Sequence, residues 1–148
     1  MPQLGGHTEQ ERNLAAFRTL IDHGFGGGDA GAVDAVCAED FVEHQDGFTD
    51  RESVKGGIGF LHALAPDFNI TIEDVVAAGD RVWARIRAQG THTGAVLGGP
   101  TGRTFGITVI DICRFRDGKI VEHWGVPDRL AQMQQLGVLP APATAAAR

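Results

Sequence analysis

The chain has 148 residues, 43% apolar and 22% charged, which is the size and composition of one globular domain with a real core. A formal net charge of −6 without any basic cluster excludes the electrostatic footprint of a nucleic-acid binder. No apolar run approaches the roughly 20 residues that cross a bilayer, and the N-terminus lacks a basic region followed by an apolar stretch, so no membrane partner is expected and the cytoplasm is the expected compartment.

Residues 1–7 read as a loose leader. Thr8 and Glu11 then form a capping box for a helix with Leu14, Phe17, Ile21 and Phe25 on one stripe, ended by the glycine run 26–28. Asp29 caps a short second helix through Cys37, with Ala30, Val33, Val36 and Cys37 apolar, and a brief extended piece follows over 41–44. A third helix begins near Asp50, carries Val54, Ile58, Leu61 and Ala65 on one face, and stops at Pro66. Gly56, Gly57 and Gly59 lower its intrinsic propensity, so tertiary packing must hold it.

From Phe68 the apolar period changes to two. Strands over 68–77 and 81–92 form a hairpin through residues 78–80, a long glycine-rich loop covers 93–103, and a third strand runs over 104–116. Asp117 and Gly118 make a tight turn into the last strand. Regular pairing across that turn sets Phe115 opposite Ile120, Cys113 opposite Glu122 and Asp111 opposite Trp124. His123 alternates with Glu122 and Trp124, so one of these two sets faces inward unless a bulge intervenes; the sequence leaves open which. Asp128 caps a final helix with Leu130, Met133 and Leu136, Gly137 stops it, and the Pro/Ala-rich residues 140–148 read as a disordered tail after a domain spanning 1–139.

Helices followed by an antiparallel meander make an α+β order. The expected architecture is a cone: N-terminal helices packed on a strongly curved, mainly antiparallel sheet that encloses a small-molecule cavity. Cys37 and Cys113 stand far apart without CxxC or Cys/His spacing, so they read as buried apolar fillers rather than a disulfide or zinc site. The chain has no tyrosine, which removes a common neutral hydrogen-bond donor from any catalytic scheme.

An ordered set of short motifs spans roughly residues 10–139: Phe41-Val-Glu-His44, Gly79-Asp-Arg-Val-Trp-Ala-Arg85, Gly90-Thr-His92-Thr-Gly94, Pro100-Thr-Gly-Arg103, Asp117-Gly-Lys-Ile-Val-Glu-His-Trp124, then Asp128 and Gln135-Leu-Gly137. In this set the chain resembles the SnoaL-like polyketide cyclases of the nuclear transport factor 2-like superfamily. The resemblance implies the cone fold, a homodimer or higher homo-oligomer, and cofactor-independent acid/base chemistry closing a ring by an intramolecular aldol step in a polyketide-like or other carbonyl substrate. It places the general base at the aspartate after the Glu-His-Trp strand, here Asp128. The missing tyrosine departs from the polar aromatic pattern of the anthracycline-type members.

Each candidate side chain has two readings. Asp128 must be desolvated to act as base, since an ordinary carboxylate titrates at about 3.9; as an exposed helix cap it would be a weaker one. His123, if it faces inward, orients Asp128 or protonates a carbonyl oxygen; otherwise it sits partly exposed on the sheet. His92 is a donor at the pocket rim or a loop-stabilising hydrogen bond, and the resemblance puts His44 at the cavity end. Phe60, Trp83, Phe115 and Trp124 line or support a cavity suited to a planar, hydrophobic or aromatic carbonyl-containing ligand. Arg85 pairs with a substrate carboxylate or enolate, or with Asp111 across the sheet. His44, His92, His123 and Asp128 lack the close paired spacing of a metal site, so neither metal nor cofactor is expected. Two alternatives stay open: a hydrolase or isomerase in the same pocket, and a non-catalytic ligand-binding protein. A ketosteroid-isomerase-like site draws its oxyanion donor from tyrosine, and a limonene-epoxide-hydrolase-like site needs an Arg-x-Asp that residues 83–89 lack.

Overall fold

In the computed structural model, which describes residues 7–143, the Thr8 capping box opens α1 (Glu9–Arg18): Thr8 Oγ1 accepts the Glu11 N–H at 3.2 Å and the Thr8 N–H donates to Glu11 Oε2 at 2.8 Å. Most of the expected leader, residues 1–6, and the end of the expected tail, residues 144–148, lie outside the described residues. The helix does not continue as α. It widens into a π-helical segment, Thr19–Gly26, whose looser winding buries Leu20 beside Ile21 instead of leaving a single stripe.

The second helix, α2 (Gly31–Val36), is introduced by Asp29, whose Oδ1 accepts the Gly31 N–H at 2.9 Å. Cys37, expected as the last helical residue, instead starts β1 (Cys37–Glu43). The strand is longer than the extended piece expected over 41–44 because it has a partner: it runs parallel to the last strand and pairs Glu43 with His123. Helix α3 (Arg51–Leu64) follows, its Asp50 and Ser53 exchanging hydrogen bonds as a capping box, and it buries Val54, Ile58 and Leu64.

β2 (Asn69–Ala78), β3 (Arg81–Thr91), β4 (Thr104–Arg116) and β5 (Lys119–Pro127) form the antiparallel meander. With β1 the sheet has five strands in the order β1-β5-β4-β3-β2, curved but not closed, so β1 and β2 are its free edges. Val82, Ala84, Ile86 and Ala88 alternate inward along β3. The core under the first helices joins Phe17, Ile21, Val33, Ile58, Ile86 and Ile120, while a second cluster of Leu64, Phe68, Phe105, Ile107 and Leu136 supports the other end of the cone.

One departure from regular pairing decides the inner face. Phe115 does oppose Ile120, but β5 then bulges by one residue, so Cys113 opposes His123 rather than Glu122 and Asp111 opposes Gly125 rather than Trp124. Ile120 and Val121 are consecutive apolar residues, and both are buried; a strictly alternating strand would expose one of them. The bulge rotates His123 and Gly125 inward and Glu122 and Trp124 outward.

Helix α4 (Arg129–Gln135) is capped by Asp128, whose Oδ1 accepts the Ala131 N–H at 3.0 Å, and ends at Gly137 with φ +75°. It buries Gln132 and Leu136, a spacing of one turn, whereas Leu130, expected on the buried stripe, faces solvent. Cys37 and Cys113 are buried and unbonded, and burial pushes the Cys37 thiol up to about 12. Among the described residues no helix is long and apolar enough to cross a membrane.

Candidate active site

A cavity of about 540 Å³ opens between α3, α4 and the inner face of the sheet. Phe25, Phe48, Phe60, Phe68, Phe105 and Met133 make its walls mostly apolar, and its ionisable wall residues are Glu43, Asp111, His123 and Arg129. Three of these four meet on the sheet. β1 brings Glu43 beside His123, and the β5 bulge brings His123 to the face of β4 that carries Asp111.

Glu43, Asp111 and His123 are all buried, at 4%, 4% and 2% exposure. The His123 Nδ1–H donates to Glu43 Oε2 at 2.6 Å. On the other side Nε2 lies 3.2 Å from Asp111 Oδ1, but out of line, so this nitrogen forms no hydrogen bond. Burial disfavours charge on the imidazole; the field of Asp111 and the contacts to Asp111 and Glu43 outweigh it and raise its pKa to about 10. His123 is therefore an imidazolium at neutral pH, with one N–H held by Glu43 and the other left for a ligand oxygen. Glu43 Oε1 accepts the Gln45 N–H at 3.0 Å, which fixes the carboxylate from behind.

Gly125 makes room for this cluster. A Cβ there would stand 2.8 Å from Gln45 Oε1, 3.0 Å from His123 Cε1 and 3.1 Å from Asp111 Oδ1. At the α4 end, Arg129 Nη1 donates to Gln132 Oε1 at 2.7 Å, and partial burial lowers the guanidinium pKa.

The side chains singled out from sequence are dispersed. His123 and Phe60 line the cavity; the other seven do not. Asp128 is exposed and engaged as a helix cap. His92 is buried outside the cavity, where its Nε2–H donates to the Val96 carbonyl at 2.7 Å and Nδ1 meets Thr101 Oγ1 at 3.0 Å, pinning the 93–103 loop. His44 sits on the outer face, 3.2 Å from Glu122, and stacks on Trp124 with ring centroids 4.7 Å apart. Trp124 points outward because of the bulge, and the Arg81 guanidinium lies 5.4 Å from its ring. Trp83 is also on the outer face, and Phe115 belongs to the core. Arg85 pairs with Glu73 and Asp74 of β2 rather than with Asp111, since β3 alternation turns Arg85 outward while Asp111 faces in.

Sequence reasoning missed Glu43, Gln45, Asp111, Arg129 and Gln132. Two had a signal. Glu43 is two residues after the apolar Phe41 and so shares its inward face, and Asp111 alternates in phase with Cys113 and Phe115. Among the described residues no group of three or more His, Cys, Asp or Glu is arranged to hold a metal ion.

A curved, open sheet that folds helices over an apolar cavity defines a fold of the nuclear transport factor 2-like class. Within that class the chain belongs to the SnoaL-like polyketide cyclase family, whose model matches residues 15–136. It is 31% identical over 98 residues to aklanonic acid methyl ester cyclase DnrD of Streptomyces peucetius, covering 65% of this chain and 68% of that protein. It is 42% identical over 98 residues to the enzyme of the same name, DauD, from Streptomyces sp. strain C5, covering 65% of this chain and 61% of that one. The crystal structure of IdmH, a candidate polyketide cyclase from Streptomyces antibioticus, superposes with a TM-score of 0.76 at 35% identity, covering 84% of this chain and 98% of IdmH.

Proposed function

We propose that this chain is a cofactor-independent cyclase that closes a ring by intramolecular aldol addition in a polyketide-like carbonyl substrate, with Asp111 as general base. The observation that carries this reading is the buried line Glu43–His123–Asp111 on the wall of an apolar cavity. The resemblance alone put the base at Asp128. Proton abstraction requires contact with the substrate, and Asp111 is on the cavity wall whereas Asp128 caps a helix in solvent.

The proton inventory closes without an external partner. Asp111 takes the proton from a carbon flanked by two carbonyls, and the resulting enolate attacks a second carbonyl of the same molecule. The His123 Nε2–H is donated to the developing alkoxide, while Glu43 holds Nδ1–H and keeps the ring oriented. Protonated Asp111 then returns its proton to Nε2 across 3.2 Å, which restores the resting site. The relatives named as aklanonic acid methyl ester cyclases support a carbonyl-bearing ester as substrate, and six aromatic or thioether walls suit a planar, apolar one.

Asp111→Asn and Asp128→Asn, assayed by product chromatography on an anthraquinone carrying a 1,3-dicarbonyl side chain, separate the two bases. Asp111→Asn is expected to lower kcat by on the order of 10²–10⁴-fold, the usual contribution of a positioned base. Asp128→Asn should stay within a few-fold of wild type. Undiminished turnover by Asp111→Asn overturns the assignment, and turnover by neither wild type nor variant directs attention to a binding role.

A further inference from the structure

Charge is segregated within the cavity. The two carboxylates and His123 lie on the sheet, whereas Arg129, the only other cation on the wall among the described residues, stands at the start of α4 beside Gln132. The two groups are separated along β5: Asp111 opposes Gly125, Val109 opposes Pro127, and Arg129 follows two residues later. The strand portion alone amounts to about 7 Å at the usual rise per residue.

Arg129 lacks a carboxylate partner among the described residues, and its neighbour Gln132 is a buried amide whose oxygen is already taken by Arg129 Nη1. The Gln132 Nε2 hydrogens form no hydrogen bond among the described residues, although this side chain lines the cavity. A guanidinium without a carboxylate partner and a free amide donor thus converge on the α4 end of the cavity, remote from the charged groups on the sheet. Most other arginines near this sheet are satisfied: Arg85 by Glu73 and Asp74, Arg114 by Glu122, Arg116 by Asp40.

We propose that Arg129 and Gln132 form a carboxylate-recognition subsite, so that the ligand is an aromatic carbonyl compound with a free acid at the end remote from the reacting dicarbonyl. The planar fork of a guanidinium matches a carboxylate, and the neighbouring amide N–H adds a further donor. Orientation follows from charge alone. At the sheet end the two carboxylates Glu43 and Asp111 outnumber the single imidazolium of His123, whereas at α4 an acid meets two donors and no carboxylate, so the acid anchors there and the opposite end is presented to Asp111 and His123. This assignment rests on the cyclase reading for the role of the opposite end, while the subsite itself is read from binding.

The test compares anthraquinone-2-carboxylate with its methyl ester by isothermal titration calorimetry at neutral pH. Wild-type protein is expected to prefer the acid by on the order of tenfold or more, the effect of a charge-assisted hydrogen bond. Arg129→Gln should bring the acid-to-ester ratio close to one, and Arg129→Lys should retain part of the preference. Asp111→Asn keeps the preference even if its turnover is unaltered, so failure of the base assignment and failure of the subsite are read in separate experiments. Equal or tighter binding of the ester by wild type, a preference that survives Arg129→Gln, or no binding of either probe overturns the subsite.

Discussion

Stability should fall as pH rises through the neutral range, because the buried His123 stays protonated where an unfolded histidine does not. The ring titrates at 6.5 in its ordinary state and at about 10 in the fold. Below about pH 6.5 both states carry the proton and the stabilisation is complete; between the two values only the folded state holds it, so stability is lost progressively up to about pH 10. A difference of about 3.5 pH units at 1.36 kcal/mol each corresponds to about 5 kcal/mol over the whole window. The buried thiols contribute in the same direction only above their ordinary value of 9.0. The interval from about pH 6.5 to about pH 8.5 therefore isolates His123 and should cost about 2 kcal/mol. Urea unfolding across that interval measures it, with Glu43→Gln as a comparison that removes one carboxylate and should flatten the slope. A wild-type unfolding free energy that is constant or rises over the interval would refute the imidazolium, and with it the proton donor of the proposed cycle.

Gly125→Ala inserts a methyl against Gln45, His123 and Asp111 and is expected to lower kcat at least about tenfold, as misplaced catalytic groups do; steady-state kinetics with a circular-dichroism melt separates this from unfolding. Gly94→Ala would put a Cβ 1.6 Å from the Ala63 carbonyl oxygen and 3.1 Å from that of Leu64, both backbone atoms. It should destabilise by about 3 kcal/mol or more, seen as a large drop in Tm, and an unchanged Tm would contradict the packing of the loop on α3. Self-association, expected from the resemblance, has the outer sheet face available, where Val76, Trp83, Ile110 and Val126 are exposed. Trp83→Glu should then shift a dimer to monomer in light scattering, whereas a monomeric wild type would remove that expectation.

The helix starts were legible because caps are local chemistry: Thr8 with Glu11, Asp50 with Ser53, and Asp128 with Ala131 each bond within three residues. The hairpin strands and the Asp117-Gly118 turn were legible for the same reason. Cys37 was misread because its strand exists only through pairing with β5, some eighty residues away in sequence. The site was misread through one residue of register. Regular alternation after the turn paired Asp111 with Trp124, whereas the consecutive burial of Ile120 and Val121 shifts everything beyond them. Asp128 was correctly seen as a cap, and resemblance rather than spacing gave it a chemical role. Leu130 and Arg85 failed on facing direction, which a pattern of apolar residues settles only when the partner surface is known.

The extra residue in β5 also makes the chemistry of the chamber a matter of counting. Pairing the same residues without the bulge would turn Glu122 and Trp124 inward in place of His123 and Gly125, whereas removing Val121 would leave a regular strand with His123 still opposite Cys113 and Gly125 still opposite Asp111. The donor on the cavity wall thus depends on the extra residue being taken up as a bulge, and a deletion at that point removes the bulge without exchanging the inner face. A crystal structure of the Val121 deletion variant, with its strand pairing read directly, would show His123 and Gly125 still facing the cavity and the curvature contributed by the bulge lost.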